Sequence, residues 1–285
     1  MNYRHCCVFV ALLLLTSCYF PSDSTLFINH YPLAAGNSWH YIRQISLYNA
    51  RPSHPGDVLP ETTMTFFSDV NVLDNVILKG ISCSRCQIVE HEGDQILTSY
   101  EFYRSGLDSL RIIAYSGGSV SIYPQQKLQK GIHFTTNGVS VTSLEQLSKI
   151  VQGRWQGLQP AGTDSLYYEP GPVTSYIFPV RPVREWDYRL PNYPPGWRIH
   201  KKVTDIVPIA VGNSIIQTYK IQWYWDMTNS GKWDSNRVGF DYLSSRGLLK
   251  REYLINNLLV SSSSLDTLGL MDYKEEYDLQ TMTVK

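Results

Sequence analysis

An excess of either charge is missing from this sequence. The chain carries 25 Lys and Arg against 25 Asp and Glu. No basic stripe breaks the balance, which argues against nucleic acid as a partner, since a phosphate backbone demands clustered cations. Lys201-Lys202 and Lys250-Arg251 are isolated pairs and read as solvated strand ends. A long apolar run is also missing. The run from Cys6 to Leu15 is ten residues, and a membrane-spanning helix needs about 20. Cysteine is scarce: beyond residue 18 only Cys83 and Cys86 occur, in the phrase CSRC. Such a pair is a redox couple, half a metal site or a local disulfide. A redox role wants a helix start, but VILKGISCSRCQIVE has no helical period. No second pair or histidine cluster completes a zinc site. The structural reading remains: a Cys83–Cys86 disulfide, or two thiols at a strand bend.

Catalytic motifs are missing too. The sequence has no Gly-x-Ser-x-Gly elbow, no phosphate loop, no dinucleotide fingerprint and no His-Glu-x-x-His. His30, His40, His54, His91, His133 and His200 are scattered without ligand spacing. Asp226, Asn229, Ser230 and Asp234 around Gly231 miss the spacing of a calcium loop and read as a polar turn. Asp272, Glu275 and Glu276 read as a solvated stretch near the end. No catalytic residue, metal ligand or cofactor is assigned.

Aromatic residues are abundant: 20 Tyr, 7 Trp and 9 Phe. With frequent Gly, Pro, Asn and Ser punctuation they predict an all-β chain. Trp39, Tyr41, Ile45 and Leu47 share one parity, as a buried strand face requires, with Arg43 at its rim. Further strands are expected at 63–72, 76–90, 96–104, 109–115 and 119–123, with breaks at Asp74-Asn75 and Gly117-Gly118 among others. The clearest strand is IIQTYKIQWYWDM, where Tyr219, Ile221, Trp223 and Trp225 line one face. Strands over VGFDYLS and LLKREYLINNLLV form a hairpin across Ser245-Arg246-Gly247, and LMDYKEEYDLQTMTV closes the chain. One short helix is expected near residues 143–152, capped by Ser143 with Gln146 three residues on and stopped by Gly153.

Residues 160–197 form a proline-rich connection with a strand inside it. Within it, FPVRPVREWDY echoes YPLAAGNSWHY: Pro32, Trp39 and Tyr41 match Pro179, Trp186 and Tyr188 at a constant offset of 147. The echo suggests two related β units, 30–160 and 161–285. The Gly36-Asn37 turn, however, becomes Val183-Arg184, and neither residue suits a positive φ.

The amino terminus has the order of an export signal: a basic start, a short apolar middle and small residues. Its end, Leu15-Thr16-Ser17-Cys18, resembles the lipobox of bacterial lipoproteins. That resemblance implies a signal peptide over 1–17, lipidation of Cys18 with palmitate-like acyl chains, and a tether over 18–29. Removing 17 of the 285 residues leaves 268. Tyr19, rather than Asp, after the cysteine leans toward the outer membrane facing the periplasm, over the inner membrane or the cell surface. The opening YPLAAGNSWHYI and the later SSRGLLKREY also resemble phrases of largely uncharacterised bacterial lipoproteins. This second resemblance implies a strongly bent antiparallel sheet or half-open barrel, like lipoprotein-localisation carriers. Its matching residues, Pro32, Gly36, Trp39, Tyr41, Gly247 and Leu248, are structural.

Two functions are then expected. The first is non-catalytic: a curved sheet binding an apolar ligand or an envelope protein, with Trp223, Trp225, Tyr219 and Ile221 as candidate ligand-lining residues and Cys18 holding the chain to membrane lipid. The alternative is a β-rich envelope enzyme or binding module acting on glycans.

Overall fold

The computed structural model describes residues 26–92, 95–116, 131–136, 138–154 and 166–285. The expected signal peptide, Cys18 and the strand at 119–123 lie outside them. Fourteen strands run β1 (Ser38–Pro52), β2 (Thr62–Leu78), β3 (Ile81–Glu92), β4 (Gln95–Ser105), β5 (Ser109–Ser116), β6 (Ile132–Thr136), β7 (Val139–Val141), β8 (Leu166–Ile177), β9 (Glu185–Arg189), β10 (Arg198–Val211), β11 (Ser214–Asp226), β12 (Arg237–Ser244), β13 (Gly247–Ser262) and β14 (Thr267–Thr283), with helix α1 (Leu144–Val151) between β7 and β8. The chain is all-β, as its aromatic and β-branched content predicts.

The order β12-β11-β10-β9-β8-β5-β4-β3-β2-β1-β14-β13 closes through an added β12–β13 pairing. The wall is therefore a full antiparallel barrel of twelve strands rather than a half-open one. The β6–β7 hairpin is appended where Ile132–Thr135 pair with Leu259–Ser262. The seam between β8 and β9 rests on one backbone pair, Val173↔Arg189. Side chains strengthen it: Trp186 Nε1 donates to Thr174 O at 3.0 Å, and Arg189 binds Glu169 through two bonds of 2.8 and 2.9 Å.

Local chemistry sets the strand limits. Asp74-Asn75 does not break the sheet; β2 runs through it with a register shift between Val72 and Asp74. The reversal comes at Lys79-Gly80, both at positive φ, as a two-residue hairpin of matching twist requires. Helix α1 forms as expected: Ser143 Oγ accepts from Gln146 N at 3.2 Å, while Gln146 Oε1 accepts from Thr142 N at 2.9 Å. Gly153 at φ +73 ends it. Its buried face, Leu144, Leu147, Ile150 and Val151, joins a core that includes Ile45, Phe66, Ile112, Tyr188 and Ile255 from strands around the barrel. Arg43 of β1 bonds Ser148, whereas Tyr188 and Arg189 of β9 bond the carbonyls of Gln152 and Gly153. Strands β1 and β9 stand six positions apart in the twelve-membered ring, so the helix end is tied to opposite walls and plugs the interior.

The two echoing phrases make the same turn. Asn37 N donates to Ala34 O and Arg184 N to Arg181 O. Val72 N donates to Asn37 O, and Val203 N to Arg184 O. Asn37 Nδ2 reaches Pro32 O at 2.9 Å, and Arg184 Nη1 reaches Pro179 O at 3.1 Å. Gly36 has φ +86 and Val183 has φ +57, so the β-branched residue takes the left-handed conformation that its side chain disfavours. Strands β1–β5 with β8, and β9–β14, are two six-stranded halves of one closed wall. Strand β8 pairs with β5 and so sits in the first half, whereas the expected second unit, 161–285, would include it.

The phrases YPLAAGNSWHYI and SSRGLLKREY meet in space. Trp39 Nε1 donates to Arg246 O and Tyr41 OH to Leu248 O, each at 2.8 Å. A Cβ on Gly247, at φ +106, would lie 2.9 Å from Trp39 Nε1.

Candidate functional site

The inward parity of several strands carries charge. Arg43 shares its face with Trp39, Tyr41, Ile45 and Leu47, and it is 2% exposed rather than at a rim. Its Nε donates to Glu275 Oε1 at 2.9 Å, Nη1 to Glu90 Oε1 at 2.7 Å and Nη2 to Ser148 Oγ at 2.7 Å. Glu275, expected in solvent, is fully buried. Tyr273, Tyr277 and Ser148 hydroxyls also donate to it. Burial alone would raise its carboxyl pKa, but Arg43 and these three donors outweigh it and hold the group below the usual range. Asp272 is likewise buried, bound by Arg51 at 2.7 Å.

A second cluster joins β10, β12 and β13. Asp241 is fully buried; Lys201 Nζ donates to its Oδ2 at 2.9 Å and Arg251 Nε to its Oδ1 at 2.6 Å. Tyr176 OH also donates to Oδ2, at 3.1 Å. Lys201 is thus no strand-end lysine: its ammonium lies 3.7 Å from the Trp223 ring centroid and 4.7 and 4.9 Å from those of Tyr176 and Tyr188. Burial pushes its pKa down to about 7 against the pull of Asp241. Burial would raise Asp241, but Arg251 and Lys201 bring it to about 2.

Between these clusters the barrel is not filled. Helix and side chains leave a cavity of about 190 Å³, whose wall includes Tyr31, Tyr41, Tyr100, Tyr103, Tyr176 and Tyr188 with Arg43, Lys201, Arg251 and Trp223. Twelve strands enclose more space than the eight that side chains can fill. The carboxylates on its wall are engaged: Glu90 with Arg43, Glu145 with Lys149, and Glu101 with Arg154.

Of the four aromatic and aliphatic residues expected to line a ligand site, Trp223 reaches this cavity. Trp225 stacks against Trp223, centroids 5.7 Å apart, and packs with Tyr253 in the core. Tyr219 and Ile221 belong to another core cluster with Tyr176 and Trp186, and Tyr219 OH binds Leu26 O at 2.6 Å. Parity alone could not show how far along β11 the cavity extends. Cys83 and Cys86 are free thiols. No disulfide joins them because an odd spacing on a strand sends the side chains to opposite faces; Cys86 lines the cavity and Cys83 does not. Burial pushes the Cys86 thiol up to about 12. No group of three or more potential metal ligands occurs among the described residues. The Asp226 loop is a turn: its carboxylate accepts from Ser230 N and Gly231 N at 2.9 and 2.7 Å.

No family model matches this chain, and no curated protein does. Two solved structures are similar at low level. A candidate lipoprotein of Parabacteroides distasonis is 12% identical, with a TM-score of 0.29, covering 92% of this chain and 100% of the other. A candidate exported protein of Bacteroides fragilis with a YmcC-like fold is 6% identical, with a TM-score of 0.31, covering 90% and 99%.

Proposed function

We propose that the protein is a non-catalytic lipoprotein of the bacterial envelope that holds a small ligand inside its barrel. The cavity carries this reading. At about 190 Å³ it exceeds the roughly 150 Å³ cavity that accepts benzene and falls below the roughly 300–1,000 Å³ of drug-sized sites. The ligand is therefore on the order of ten non-hydrogen atoms. A wall of tyrosines with Lys201 and Arg251 suits an apolar body bearing a polar group better than a bare acyl chain. The engaged carboxylates favour binding over acid–base chemistry on glycans. The lipobox supports attachment through Cys18, and Tyr19 supports the outer membrane facing the periplasm.

Native mass spectrometry of the full-length protein from its own cells tests the reading against Ile88→Trp, which puts a larger side chain at a lining position of the cavity on β3. The expected result is a small non-covalent adduct on the wild type that the variant lacks. Equal spectra from two equally folded proteins would overturn it.

A further inference from the structure

The cluster at Lys201 holds two cations against one carboxylate. Arg251 and Lys201 share Asp241, and no second acidic side chain bonds either of them among the described residues. Two of the three ammonium hydrogens on Lys201 are taken, by Asp241 Oδ2 and by Ser175 O at 3.1 Å. The third meets only the faces of the Trp223, Tyr176 and Tyr188 rings, with no oxygen acceptor among the described residues. Trp223 adds another unused donor: its indole Nε1 is buried without a hydrogen-bond partner among the described residues. Lys201, Arg251 and Trp223 all line the cavity. Arg43 differs, since two carboxylates already flank it.

We propose that Lys201, Arg251 and the Trp223 N–H form an anion seat in the cavity wall, and that the ligand is a small carboxylic acid whose apolar body lies among the tyrosines. This rests on the ligand-binding reading above and adds the ligand's charge. A buried surplus cation is costly, and a carboxylate there gains charge-assisted hydrogen bonds while removing the surplus. The groups facing Lys201 are Asp241, Arg251 and the rings of Tyr176, Tyr188 and Trp223. Burial lowers the Lys201 pKa, so an arriving anion also favours its protonated form.

The test is calorimetric titration of the full-length protein, in detergent, with 4-methylbenzoate and its uncharged near-isostere 4-methylbenzamide. The acid is expected to bind at least tenfold more tightly than the amide. In Lys201→Met the two should bind within about threefold of each other, and in Ile88→Trp neither should bind. Equal binding of both by the wild type, abolished by Ile88→Trp, would overturn the anion seat and leave the cavity reading standing. Acid binding that survives Ile88→Trp places the contact outside the barrel and overturns the seat. Absence of binding by either probe at millimolar concentration would overturn both readings. The wild-type comparison decides the matter even if Lys201→Met fails to fold.

Discussion

Replacing Arg43 with Met should leave Glu275 buried without its cation. Arg43 and Glu275 are 2% and 0% exposed, and the guanidinium bonds three partners. Removing one member of a buried pair costs roughly 3–5 kcal/mol, because the other charge stays desolvated. At about 2–4 °C per kcal/mol for a chain near this size, Tm should fall by about 6–20 °C. The deficit should depend on pH. In the wild type the Glu275 carboxyl sits below its ordinary value, so its stabilisation is present above the unfolded pKa and lost as pH falls through the folded one. Without Arg43, burial dominates and raises that carboxyl; protonation then relieves the variant as pH falls. Urea unfolding followed by circular dichroism at pH 8 and pH 5 should show the gap narrowing. The double variant Arg43→Met, Glu275→Leu should regain most of the loss. A deficit below about 1 kcal/mol, or a double variant as unstable as the single, would refute the argument.

Lys201 should show the same sense in a higher pH window. Its folded pKa of about 7 lies below its ordinary 10.5, so the unfolded chain binds more protons between those values and stability should rise with pH across them; Lys201→Met should flatten that slope in unfolding curves. Gly247→Ala should cost about 1–3 kcal/mol, through positive φ and the clash with Trp39, whereas Gly212→Ala, also at positive φ but with open space around it, should cost about 1 kcal/mol; paired melting curves would show the difference, and equal losses would count against the Trp39 contact. Cys83 and Cys86 should titrate as two thiols with a disulfide reagent after denaturation and react slowly in the native state; finding none without reductant would contradict the free pair. Cys18→Ala should release the protein from the membrane fraction and abolish acyl labelling of its amino terminus.

The all-β class, the helix cap at Ser143 and the hairpin over residues 244–247 were legible because each follows from local chemistry. The β1–β14 pairing that the ring also needs was not, because it joins strands from the two ends of the described chain. The charged interior was misread for a specific reason. By residue type Lys201, Arg251 and Glu275 read as solvated and Arg43 as a rim residue, although each keeps the parity of buried neighbours: Tyr41 and Ile45, Ile199 and Val203, Leu249 and Tyr253, Tyr273 and Leu279. Parity was the better guide, and a charge on that parity signals a buried pair. Which opposite charge it meets depends on register across the barrel, which no single strand encodes.

The most direct measurement is anomalous diffraction from crystals soaked in 4-bromobenzoate. The expected result is a bromine peak inside the barrel, among the tyrosines lining the cavity and across the ring from the Lys201, Arg251 and Trp223 seat. Bromine found only on the outer surface, or absent from the interior of well-soaked crystals, would contradict it.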